Sequence, residues 1–144
     1  MITGNLRVNQ LSARASDWYL NEYLAAMDAL DVERYAGFLA DDISLKFNNA
    51  PAITGKAAVV AMLSGYWQSF ASIEHEPLNI YGSDDRFMLE AFNHYVRHDG
   101  RRVTTHAVAL TDRNDAGAVV SVRVFADASP VFADQDQHIG RADL

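Results

Sequence analysis

Hydrophobic and polar positions change period once along this chain, near residue 71. Before that point the apolar residues recur at helical spacing. Trp18, Tyr19, Tyr23, Ala26, Met27 and Leu30 fall on one stripe and predict a first helix, from a Ser12 or Ser16 cap to about Ala29. Asp31 is placed to cap a short second helix, Val32 to Leu39, which ends before Asp41-Asp42. Ile43 to Phe47 reads as a short strand, and Asn48-Asn49-Ala50-Pro51 as a loop. Thr54 is expected to cap a third helix from Lys56 to about Phe70. After residue 72 the pattern is that of strands. Runs at Ile73–Tyr81, Arg86–Arg97, Arg102–Thr111 and Val119–Ala126 are separated by turns at 82–85, 98–101 and 114–117. Residues 1–12 and 133–144 read as tails around a single domain spanning 13–132.

Helices first and strands afterwards predict an α+β fold. Three N-terminal helices should pack on one face of a strongly curved, antiparallel or mixed sheet, with the core or an internal pocket between them. Asp99-Gly100 between two β-rich runs predicts a two-residue hairpin loop. That register sets His94 opposite Thr105 and Phe92 opposite Ala107. One face then carries Glu90, Phe92, His94, Val96, Thr105, Ala107 and Ala109, and is expected to line the interior. The other carries Ala91, Asn93, Tyr95, Thr104, His106, Val108 and Leu110. With Phe125, the apolar members of that second face (Tyr95, Val108, Leu110) predict a homodimer through the outside of the sheet.

Composition narrows the partners. The 144 residues carry a formal net charge of −7, which disfavours nucleic acid and anionic membrane surfaces. There is no cysteine, so disulfides, thiolate metal sites and a thiol nucleophile are excluded. No signal-like h-region or membrane-length apolar run is visible, and a cytoplasmic location is the default expectation. His94, His98 and His106 do not share a face as metal ligands would, and no Gly-x-Ser-x-Gly elbow or Gly-rich phosphate loop is present. The expectation is therefore no cofactor and no metal, and a small apolar molecule as ligand.

Three stretches resemble the nuclear transport factor 2-like superfamily and, within it, the SnoaL-like polyketide cyclase group. They are Tyr23 through Asp42, similar to an opening helix pair ending in Asp-Asp; Thr54-Gly-Lys-Ala-Ala-Val, similar to a helix start; and Val119 through Asp127, similar to a closing strand. The resemblance covers about residues 15–130 and implies a cone-shaped fold. Its activities have to be carried over residue by residue. Relative to ketosteroid isomerases, Tyr23 matches the helix tyrosine, but Phe47 and Ala109 stand where the two aspartates belong. Relative to limonene epoxide hydrolases, Glu90, Phe92 and Val124 replace the water-activating set. Scytalone dehydratase and hexachlorocyclohexane dehydrochlorinase fit better. Asp28 and His75 match the positions of their His–Asp dyad, with Glu76-Pro77 as a departure from the family pattern.

The dyad makes chemical sense by itself. An imidazole titrates near neutral pH, and a carboxylate on one ring nitrogen fixes the tautomer and leaves the other as a base. The resemblance thus implies His75 as base and Asp28 as its orienting partner. The plain alternative is an Asp28 that caps the second helix and a His75 on an exposed strand edge. Tyr23, Phe47, Tyr66, Trp67, Glu90, Phe92, His94, Ala109 and Val124 are the candidate substrate-binding residues, either as pocket wall or simply as core. His94 reads as a second acid, a donor or a satisfied core histidine. The function expected is general acid/base chemistry of dehydration, isomerisation or cyclisation type on an apolar small molecule. A non-catalytic binding or dimerisation module of the same fold is the alternative.

Overall fold

The computed structural model describes residues 1–133. One seven-stranded mixed sheet, ordered β1-β4-β5-β6-β7-β2-β3, curls around the helices. Its strands are β1 (Arg7–Asn9), β2 (Leu39–Phe47), β3 (Ile53–Thr54), β4 (Ser72–Ser83), β5 (Arg86–Val96), β6 (Arg102–Arg113) and β7 (Val119–Ala126). The pairings of β1 with β4 and of β2 with β7 are parallel, and the rest are antiparallel. Register shifts between Pro77 and Asn79, Leu39 and Ser44, and Asp112 and Arg113 bend the strands so that the sheet wraps. Pro77 sits at one of these bulges, ahead of the stretch of β4 that pairs with β1, where its missing N–H is tolerated.

The opening helical run is α1 (Ala13–Trp18), a π-helical turn (Tyr19–Tyr23) and α2 (Leu24–Asp28). Ser12 caps it by accepting from the Ala15 N–H at 3.1 Å. The wider π turn stacks Tyr19 on Tyr23, with ring centroids 5.3 Å apart, and both are buried. Asp31 caps α3 (Val32–Ala36) through the Arg34 N–H, as its position predicts. The cap of α4 (Lys56–Gln68) differs from expectation. Thr54 belongs to β3, and Gly55, at φ 94°, occupies the cap position without a side-chain bond.

Residues 1–12 are not a loose lead-in. Arg7–Asn9 adds a parallel strand beside Asn79–Tyr81, and the Ile2 N–H donates to the His75 carbonyl. At the other end α5 (Ser129–Phe132) buries Val131. The buried Arg97 guanidinium holds this segment, donating to the carbonyls of Pro130 and Ala133 and to Asp99. The expected tail beyond Ala133 lies outside the described residues.

The long hairpin corrects the register. Arg97 and Arg101 close a three-residue loop, with the Arg97 N–H on the Arg101 carbonyl and the Gly100 N–H on the Arg97 carbonyl. Gly100 takes φ 83°, which suits a turn ending in a left-handed residue rather than a two-residue loop. His94 therefore faces Thr104, Phe92 faces His106 and Asn93 faces Thr105. The single extra loop residue inverts β5 but leaves β6 as expected. Phe87, Leu89, Ala91, Asn93 and Tyr95 point inward with Thr105, Ala107 and Thr111.

Candidate active site

Asp28 ends α2 at the point where the helix crosses β4, and His75 is the fourth residue of β4. Asp28 Oδ1 accepts from the His75 backbone N–H at 3.1 Å and lies 2.5 Å from His75 Nδ1. A carboxylate can only accept, so the Nδ1 carries the proton and the Nε2 lone pair is turned to the other side. His75 is 4% exposed, and Nε2 has no hydrogen-bond partner among the described residues. Asp28 Oδ2 faces the Met1 ammonium at 3.2 Å, which also reaches Glu74 at 3.2 Å. Burial opposes that ammonium's charge, but hydrogen bonds to Asp28 and Glu74 outweigh it and hold its pKa above the usual value.

His75 lines a cavity of about 320 Å³ between the helices and the sheet. That is near the lower end of the roughly 300–1,000 Å³ range of small-molecule sites. Its wall is mostly apolar, with Leu45, Ile73, Leu89, Ala91, Ala107 and Val122 among its residues. Near Asn48, Ala126 and Ala128 the cavity adjoins a surface depression bordered by Phe132.

Of the residues expected to bind substrate, Tyr23, Phe47, Tyr66, Trp67, Ala109 and Val124 line this cavity. Glu90, Phe92 and His94 do not. The three-residue loop turns them to the outer face. There His94 lies between Thr104 Oγ1 at 2.8 Å and Glu76 Oε1 at 2.7 Å, and Glu90 pairs with His106 and Asn79 at 2.7 Å each. Phe92 packs against the rings of both histidines. Tyr95, expected outside, is buried inside against Phe70.

The same inversion brings in groups that a two-residue loop would place outside. Asn93 sits directly across from His75, and Thr105 directly across from Asn93, so three polar side chains cross β4, β5 and β6 in a row. The loop length is the signal that would have found them. Among the described residues, Asn93 Oδ1 and Thr105 Oγ1 are enclosed without a hydrogen-bond partner. On the helical wall Tyr23 and Tyr35 share a hydroxyl–hydroxyl bond of 2.6 Å. Burial raises both phenols, Tyr35 to about 12 and Tyr23 well above its ordinary value, so both stay protonated. Only one of their two protons can lie between them, which leaves one O–H donor for another acceptor. Among the described residues no group of three or more His, Asp or Glu side chains is arranged to hold a metal ion.

The model of the SnoaL-like domain matches residues 20–122. No curated protein matches the chain significantly. Solved structures share the architecture at low identity. A proposed SnoaL-like polyketide cyclase from Jannaschia sp. CCS1 is 19% identical, over 83% of this chain and 87% of that one, with a TM-score of 0.67. SalBIII, an epoxide hydrolase/cyclase-like enzyme of pyran ring formation in the polyether salinomycin, is 15% identical over 81% and 92%, with a TM-score of 0.69. An LEH-like epoxide hydrolase of Mycobacterium tuberculosis is 16% identical over 88% and 93%, with a TM-score of 0.67.

Proposed function

The chain belongs to the SnoaL-like domain family, and on that premise we propose that it is a cofactor-independent acid/base enzyme acting on a small apolar molecule held between helices and sheet. The observation that carries this reading is the Asp28–His75 contact, with Nδ1 at 2.5 Å from the carboxylate and the ring set in the cavity wall. His75 Nε2 takes a proton from the bound molecule, and Asp28 stabilises the imidazolium that forms. The proton then returns to the same molecule or to its leaving group. Dehydration, isomerisation and cyclisation all use that step. Phe47, Trp67, Ala109 and Val124 surround the molecule with hydrocarbon, and the free Tyr23–Tyr35 donor takes an oxygen.

Proton exchange tests this with simple carbon acids in place of the natural substrate. The protein is incubated in deuterated water with a panel of cyclic ketones, lactones and nitroalkanes, and carbon-bound deuterium is followed by NMR. We expect exchange of at least one compound, and its loss by roughly 10²-fold or more in His75→Ala, the range of a positioned general base. Circular dichroism checks that the variant is folded. Equal exchange by the two proteins removes the dyad. Binding without exchange leaves a module that holds a ligand and performs no chemistry.

We also propose that the outer face of the sheet pairs with a second copy of this chain. Its support is Phe125, 45% exposed, beside the half-buried Val108 and Leu110.

A further inference from the structure

We propose that protons control the pairing of two copies of this chain: with His94 and His106 protonated, the outer faces of the two sheets join more tightly. This rests on the outer-face interface stated under the proposed function. Two imidazole–carboxylate pairs stand on that face. His94 Nε2 lies 2.7 Å from Glu76, and His106 Nε2 lies 2.7 Å from Glu90. Phe92 sits between them, with its ring 6.4 Å from one imidazole and 5.0 Å from the other. Val108 is directly opposite both Glu90 and Phe125, so the pairs border the apolar part of the face. For a single chain such exposed pairs are worth little. A second copy related by a two-fold axis brings the same four groups to the same face and removes water from all of them.

The sign follows from charge. With neutral rings each copy carries two carboxylates into the interface, and desolvation opposes their charge. With protonated rings each carboxylate enters as half of an ion pair. Association therefore takes up protons and strengthens as pH falls through the imidazole range. Both rings are built to change state. The Thr104 hydroxyl, 2.8 Å from His94 Nδ1, can donate to the bare nitrogen or accept from the protonated one. His106 is more than half exposed, and its Nδ1 has no hydrogen-bond partner among the described residues, so a proton gained there is a donor turned to the partner copy. The other charged groups around the rings are mostly acids. Glu74 is directly opposite His94 and reaches the Met1 ammonium, and Asp127 follows β7 beside His106 and accepts from the Ser129 N–H. Arg102 on β6 and Arg7, bonded to Asn79 on β4, are the nearby arginines. Hydrogen bonds from Asn79 and His106 hold the Glu90 carboxyl below its usual range, so it stays ionised while the imidazoles titrate.

The test is sedimentation of the full chain over a dilution series at about pH 8 and about pH 6, at one ionic strength. The dimer Kd should fall by about tenfold or more on acidification, since uptake of roughly half a proton over two pH units already gives that change. His94→Gln with His106→Gln should keep a similar Kd at both pH values. Glu76→Gln with Glu90→Gln should dimerise at least as tightly as the wild type at the higher pH and should not tighten on acidification. That second pair of changes serves if the first does not fold. A wild-type Kd that is constant or rises on acidification, or a full pH response that survives loss of both histidines, overturns the proposal and leaves the interface in place. A monomer at both pH values removes the interface and the proposal together.

Discussion

At the level of single residues the chemistry depends on which nitrogen of His75 is held. Asp28 uses one oxygen twice, for the backbone N–H and for Nδ1 of His75, so strand and ring are fixed by the same atom. Asp28→Asn keeps the shape but can present an N–H to the ring, which favours the opposite tautomer. We expect deuterium exchange to fall by about 10²–10⁴-fold with little change in thermal stability, in keeping with the loss when a histidine's orienting aspartate becomes an amide. An unchanged rate would show that the carboxylate does not orient the base. Asp28 and His75 were legible in the sequence only through resemblance, since 47 positions separate them and no local period links them. Tyr35 was missed because its partner is twelve residues away across a helix break, although both hydroxyls meet on one wall.

Among the elements, the hairpin between β5 and β6 decides which side chains reach the cavity. Asp-Gly signals a tight turn, but the residue count of the loop is set by the hydrogen bonds around Gly100, and one residue exchanges the faces of a strand. Glu90, Phe92 and His94 were therefore expected inside and stand outside, while Asn93 was expected outside and stands inside. The face of β6 was legible, with Thr105 and Ala107 buried inward as expected, because the extra loop residue exchanges the faces of β5 alone. Two glycines separate strain from crowding. At Gly100, φ 83°, an added Cβ meets nothing within 4 Å, so Gly100→Ala should lose about 1 kcal/mol from the left-handed backbone alone. At Gly82, φ 122°, the Cβ would come 2.3 Å from the Arg86 carbonyl oxygen, so Gly82→Ala should lose clearly more. Urea unfolding of both variants checks the order, and an equal or reversed loss contradicts the turn geometry.

Across the whole molecule, helices and sheet enclose a core rich in phenols. The switch from helical to alternating pattern made the α+β architecture readable, whereas strand β1 was not, since three residues supply too short a pattern. The buried phenols give the fold an alkaline limit. Tyr35 is raised by burial from 10.0 to about 12, so between those values the unfolded chain loses its phenolic proton while the folded chain keeps it. Stability is therefore complete below pH 10 and declines as pH rises toward 12, with Tyr23 acting in the same direction. Tyrosinate absorbance from the buried phenols should emerge together with loss of the circular dichroism signal. Ionisation of Tyr19, Tyr23 and Tyr35 near pH 10 with the fold intact would contradict their burial. For the outer face, light scattering after size-exclusion should give twice the 15.9 kDa chain mass, and Phe125→Glu should give the single chain. A wild-type monomer at micromolar concentration removes that interface.

Whether His75 is a base held by Asp28 can be read from its nitrogen-15 spectrum at a pH where imidazole is neutral. A protonated Nδ1 is expected, with a bare Nε2 whose resonance moves when a cavity ligand is added. A proton resident on Nε2, or a His75 resonance indifferent to Asp28→Asn, would contradict the dyad.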